Sequence, residues 1–88
     1  LAWTIDLSAG ARKSLGKLDR QAASRITKFL ATRVAQLDDP RQLGKPLQAE
    51  LGDYWSYRVG DYRLICELKD NVLTVLVLQI GHRSDIYR

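Results

Sequence analysis

Residues 54–69 read Tyr54-Trp55-Ser56-Tyr57-Arg58-Val59-Gly60-Asp61-Tyr62-Arg63-Leu64-Ile65-Cys66-Glu67-Leu68-Lys69. Two β-prone runs, Tyr54 to Val59 and Tyr62 to Lys69, flank Gly60-Asp61, a dipeptide suited to a two-residue hairpin turn with positive φ. Such a turn makes Val59 face Tyr62 and sets Arg58 directly opposite Arg63. Directly opposed side chains leave the sheet on the same face, about 5 Å apart at Cβ. Two like charges so placed repel, and the sequence puts no carboxylate on that face within one residue pair. An anion from outside would relieve the conflict, and phosphate fits because guanidinium groups grip it through paired hydrogen bonds. The plainer reading is that both heads extend into water, where screening removes most of the repulsion.

Toward the C-terminus, Val72 to Ile80 is a third β-prone run, reached through Asp70-Asn71. A two-residue turn there pairs Leu78 with Arg63 and Gln79 with Tyr62. The segment Gly81-His82-Arg83 then leaves the sheet at the rim that carries Arg58 and Arg63, with Tyr87 shortly beyond. This convergence of cations is hard to account for as core packing.

Toward the N-terminus, Leu1 to Leu7 alternates loosely and reads as a first strand. Ser8 is an N-cap candidate for a helix with Ala11, Leu15 and Leu18 on one face, and Asp19 caps a second. In the second helix Ala22, Ile26, Phe29, Leu30, Val34 and Leu37 recur every three or four residues, and Asp38-Asp39-Pro40 should stop it. The short link predicts an antiparallel helical hairpin. Pro40 to Gly52 reads as a connecting loop, anchored by Leu43, Leu47 and Leu51. The expected fold is therefore α+β: an N-terminal strand, a helical hairpin and a three-stranded antiparallel meander, with the helices on one face of the sheet.

The 88 residues suffice for a single domain, 1–88, and no second. Fourteen Lys and Arg against ten Asp and Glu give a net charge of +4, which favours polyanions or an acidic partner. With one cysteine, Cys66, and one histidine, neither an internal disulfide nor a Cys/His zinc framework can be assembled. The chain starts at Leu1 and not at Met, leaving room for native residues ahead of it. No leader pattern and no run long enough to span a bilayer is visible, so a soluble, cytoplasmic protein without membrane partners is expected.

The segments Gly44-Lys45-Pro46-Leu47, Tyr57-Arg58-Val59-Gly60-Asp61-Tyr62-Arg63-Leu64, Ile80-Gly81-His82-Arg83 and Ile86-Tyr87-Arg88 resemble the RelE/ParE superfamily of bacterial toxins, on the RelE side. The resemblance covers nearly the whole chain. It implies a RelE-like fold and a type II toxin that cleaves mRNA in the ribosomal A site, with no metal and no cofactor. By family position, Arg63 would hold the scissile phosphate, Arg83 would stabilise or protonate the leaving oxygen, and Tyr87 would act as base or orient it. Arg58 would take the place of a basic residue on the adjacent strand. Lys45, Tyr54, Arg41 and Arg88 are expected RNA contacts. The implied partners are a cognate, acidic, partly disordered RelB-like antitoxin, mRNA on the ribosome, and operator DNA reached through the toxin–antitoxin complex.

Where RelE enzymes usually carry another cation, this chain has Ser56, and Lys45 or His82 is a candidate replacement. A tyrosine base is demanding at an ordinary pKa of about 10, although nearby cations favour the phenolate. His82, with an ordinary pKa near 6.5, is the more conventional base, so two proton acceptors stand open. Trp55 and Tyr57 are expected in the core, Tyr54 on the arginine face where it could stack on a base, and Cys66 as a packed thiol. Arg12, Lys13, Lys17, Arg25, Lys28 and Arg33 form either a solvated helix face or a surface that docks on RNA. Gyrase inhibition of the ParE kind and non-catalytic nucleic-acid binding are the competing functions.

Overall fold

The computed structural model describes residues 2–47 and 53–82. Its elements are β1 (Thr4–Leu7), α1 (Ala9–Lys17), α2 (Arg20–Phe29), β2 (Lys45–Pro46), β3 (Tyr54–Val59), β4 (Tyr62–Lys69) and β5 (Thr74–His82). They form one five-stranded mixed sheet, ordered β1-β5-β4-β3-β2, in which β1 runs parallel to β5. α1 packs on β5 and α2 reaches β3.

Both helices start where the side-chain chemistry demands. The Ser8 hydroxyl accepts from the Ala11 amide at 3.0 Å and an Asp19 carboxylate oxygen accepts from the Ala22 amide at 2.8 Å. α2 does not continue regularly to Leu37. It widens into a π turn over Leu30–Val34, where the Ala35 amide donates to the Leu30 carbonyl at 2.9 Å. Ile26, Leu30 and Val34, spaced four residues apart, are all buried along this stretch. The chain then returns to the sheet, with the Trp3 amide donating to the Ala35 carbonyl at 2.8 Å.

The β3–β4 hairpin has the expected register, with Arg58 opposite Arg63 and Val59 opposite Tyr62. The β4–β5 register differs from the expected one in two ways. The connection is not a two-residue turn, because Asp70–Val72 forms a short 3-10 turn and Leu73 takes the left-handed conformation (φ 46°). In addition, a bulge between Ile65 and Cys66 sets Cys66 against Val77 but Ile65 against Gln79, leaving Leu78 as the extra residue. Arg63 consequently pairs with Gly81 and Tyr62 with His82, not with Leu78 and Gln79. The Ser8 hydroxyl donates to the bulged Leu78 carbonyl at 3.0 Å, so one side chain both caps α1 and holds the bulge.

The expected loop from Pro40 holds more structure than its lack of period suggests. Pro40–Gln42 is a 3-10 turn, and β2 pairs Lys45 with Ser56 and Pro46 with Trp55. Pro46 has no amide hydrogen to donate, which suits the sheet's edge. Leu43 is exposed and does not anchor the loop, Leu47 is half-buried, and Leu51 lies outside the described residues. Tyr57 anchors the loop instead. Its buried hydroxyl donates to the Pro40 carbonyl at 2.7 Å, and a side chain at Gly44 would come within 3.1 Å of its ring.

Arg41 completes the anchoring. Its guanidinium bonds Asp39 at 3.1 Å, Asp70 at 2.7 Å and also Asp53, and it lies over the Trp55 ring. It thus ties the loop to the start of β3 and to the β4–β5 turn. Hydrogen bonding from Arg41 holds the Asp70 carboxyl below its ordinary pKa. Arg41→Ala should cost on the order of 2 kcal/mol in chemical denaturation at pH 7, with three carboxylates left facing one another. Because the folded-state pKa of Asp70 is depressed, its contribution is present above the unfolded value near pH 4 and is lost as pH falls through the lower folded value. The stability gap between wild type and Arg41→Ala should therefore narrow at pH 3. Burial pushes the Cys66 thiol up to about 12, so it should resist thiol reagents at pH 8 until the protein unfolds.

Candidate functional site: a cationic cleft on the open face of the sheet

Strand alternation divides the sheet into two faces. Tyr57, Leu64 and Ile80 form one row of the helix-covered face and are all buried. Arg58, Arg63 and Gly81 form the neighbouring row on the opposite, open face. The turn that fixes this row uses Gly60 at φ 60°, the positive first position of a II′ hairpin, and Asp61 needs no such conformation. Arg58 Nε donates to the Gly60 carbonyl at 3.2 Å, so this guanidinium is oriented by its own turn.

The bulge determines which residue of β5 joins the arginines. An unbulged ladder continued from Lys69–Thr74 would place Ile80 beside Arg63. The bulge returns Ile80 to the core and gives the open face Gly81, which has no side chain to fill the space next to Arg63.

Beside this row lies a cleft of about 280 Å³, lined by Leu43, Lys45, Pro46, Leu47, Ser56, Arg58 and Arg63. Among these described lining residues there are three cations and no carboxylate. Lys45 is directly opposed to Ser56, which puts it on the same face as Arg58 and Arg63. Of the expected site residues, the structure thus brings together Arg58, Arg63 and Lys45.

Others it separates. His82 pairs with Tyr62 and meets its ring edge-to-face at 5.9 Å, on the helix side of the sheet and away from the Arg58–Arg63 face. An unbulged β5 would leave His82 on the face of the arginines, and the one-residue bulge turns it to the other. Tyr54 shares the arginine face but is opposed to Glu67, four residues of extended chain and about 13 Å from Arg58. Arg41 belongs to the aspartate cluster at the other end of β3, about 20 Å from the hairpin turn, so its guanidinium serves the fold there and not the cleft. Arg83, Tyr87 and Arg88 lie outside the described residues. His82, the last residue described, sits opposite Tyr62.

One cation near this rim was not distinguished by the sequence. A side chain at Gly60 would come within 3.3 Å of the Arg25 guanidinium, so Arg25 reaches the hairpin turn from the helix side. In the sequence Arg25 looks like any other exposed base on a helix, since only tertiary packing puts it over Gly60. The remaining basic helix residues, Arg12, Lys13, Lys17, Arg20, Lys28 and Arg33, are exposed. No group of His, Cys, Asp and Glu among the described residues could hold a metal ion, and no helix among them is long and apolar enough to cross a membrane.

Comparison with known proteins gives this geometry a context. Residues 5–87 match the model of the ParE toxin family of type II toxin–antitoxin systems. The chain is 34% identical over 88 residues to Toxin RelG of Mycobacterium tuberculosis, spanning 100% of this chain and 99% of that relative. It is 32% identical over 84 residues to Toxin RelE of the same organism, spanning 96% of this chain and 84% of the relative. The fold superposes on a chain of the toxin–antitoxin complex RelBE2 from M. tuberculosis with a TM-score of 0.84 at 32% identity, covering 97% of this chain and 95% of that one. The E. coli RelBE complex shares the fold at 19% identity, with a TM-score of 0.71 over 92% of this chain and 96% of that one. With a family match across nearly its whole length and relatives of its own size, the chain belongs to the RelE/ParE superfamily of type II toxin–antitoxin toxins.

Proposed function

We propose that this toxin is a metal-independent endoribonuclease that cleaves mRNA in the A site of the translating ribosome and so arrests translation. The observation that carries the reading is the opposed Arg58–Arg63 pair lining an open cleft with Lys45 and, among the described lining residues, no carboxylate. The RelE and RelG names of its full-length relatives support it.

In the proposed reaction the ribose 2′-hydroxyl attacks the adjacent phosphate in line. The O2′–P bond forms and the P–O5′ bond breaks, leaving a 2′,3′-cyclic phosphate and a 5′-hydroxyl. Arg63 and Arg58 hold the non-bridging oxygens and neutralise the charge that builds on them. Tyr87 takes the 2′ proton, or orients the group that does, and Arg83 stabilises or protonates the departing O5′. His82 faces the helix side next to Tyr62, which favours Tyr87 over His82 as base. The toxin acts in the cytoplasm, where a RelB-like acidic antitoxin covers the basic site and the pair together engages operator DNA. The RelBE complexes among its structural relatives favour this partnership.

A second reading, inhibition of DNA gyrase by binding alone, draws on the ParE description of the matching family. Mapping mRNA 5′ ends after inducing the toxin in cells separates the two. In-frame cuts within translated codons support cleavage, whereas intact mRNA with an induced DNA-damage response supports gyrase inhibition. Arg63→Ala and Arg83→Ala should each lower translation-dependent cleavage by at least about 100-fold and relieve growth arrest, with the folded state kept. Full toxicity in both variants would remove these arginines from the site.

A further inference from the structure

Lys45 occupies an unusual place for a working cation, since it stands on a strand of two residues at the outer edge of the sheet. Its surroundings give it a fixed mount. On one side of it, Tyr57 holds the Pro40 carbonyl at 2.7 Å and packs its ring against Gly44. On the other, the Leu47 amide donates to the Tyr54 carbonyl at 3.0 Å. Pro46, with its φ restricted by the ring, follows directly. The backbone that presents Lys45 is thus fastened to β3 both before and after it.

The direction in which Lys45 is presented follows from the pairing. Opposite it is Ser56, small and only 8% exposed, so the floor between the edge strand and the arginines is low. One pleat further along β3, about 7 Å on, stands Arg58, and across from that Arg63. A lysine stem is long enough to cross the lateral spacing of about 5 Å over Ser56. All three cations line the same open cleft of about 280 Å³.

We propose that Lys45 is the third phosphate-contacting cation of this site. It reaches in from the edge strand to a non-bridging oxygen of the RNA phosphodiester held by Arg58 and Arg63, over the position where Ser56 supplies no charge. The proposal rests on the reading of the cleft as an RNA site and specifies its third contact. It also implies that the charge can be moved one strand inward, from position 45 to position 56, with little loss.

The test is binding at low ionic strength of a short oligoribonucleotide carrying a 2′-deoxyribose at the cleavage position, read by fluorescence anisotropy across a salt series. Lys45→Ala should weaken binding about tenfold and flatten the slope of log K against log salt by about 0.7, the loss of one phosphate contact on a single strand. Lys45→Arg should stay within about threefold of wild type, and Lys45→Ala with Ser56→Lys should recover most of the affinity and the slope. Lys45→Ala and Lys45→Arg decide the matter alone if Ser56→Lys does not fold. Wild-type affinity and slope in Lys45→Ala, with binding lost in Arg63→Ala, would overturn the role of Lys45 and leave the RNA site standing. No change in either variant would overturn both.

Discussion

The two-residue turn at Gly60-Asp61 forces two guanidinium groups to stand opposed on one face of the sheet. The turn allows no slack. Gly60 takes a positive φ, Val59 and Tyr62 close the ladder, and Arg58 and Arg63 then have to share a row of the sheet. Like charges directly opposed across strands work against folding, by a few tenths of a kcal/mol to about 1 kcal/mol. The protein accepts that cost beside a cleft whose described lining adds a third cation, Lys45, and no carboxylate. A site kept cationic in this way is preorganised for an anion, because the electrostatic work of bringing the charges together is done during folding and not during binding.

The N-terminal half of the chain supports this arrangement from a distance. Ser8 caps α1 and, with the same oxygen, bonds the bulged Leu78 carbonyl. The bulge shifts the alternation of β5 so that Ile80 stays in the core and Gly81 lies beside Arg63. A residue at the start of a helix is thus bonded to the bulge that sets which β5 residues face the open side of the sheet. At the far end, Arg41 binds three aspartates from three segments and fixes the loop that carries Lys45. Two arginines in one small protein thus have opposite uses: Arg41 is neutralised by the fold, and Arg58 is held toward an open cleft.

Much of this could be read in the sequence because local chemistry specified it. Gly60-Asp61 fixes a register by turn length alone, and Ser8 and Asp19 cap the helices that follow them. What escaped the sequence depends on long-range accommodation. Asp70-Asn71 looks like another tight turn, yet Leu73 takes the left-handed conformation and lengthens the connection. The bulge at Leu78 has no local signature, since its support comes from Ser8, seventy positions away. Together these two features put Gly81, not Leu78, next to Arg63, and the one-residue bulge alone turned His82 to the helix side. β2 escaped because two residues carry no period, and the duty of Arg41 because its aspartates at 53 and 70 are remote in sequence. Lys45 was legible as a cation, but its place opposite Ser56 was not.

Arg58 and Arg63 oppose each other in the sheet, and we propose that they act together on one phosphate. A double-mutant cycle on stability, with Arg58→Ala, Arg63→Ala and the double variant, measures their coupling directly. In low-salt buffer free of polyvalent anions the coupling should be unfavourable, by about 0.5–1 kcal/mol. In the presence of saturating 2′-deoxy-substituted oligoribonucleotide it should change sign, because each arginine then strengthens the grip of the other on the shared phosphate. A coupling near zero in both conditions, or one that stays unfavourable with the oligonucleotide bound, would rule out a phosphate shared by the two arginines.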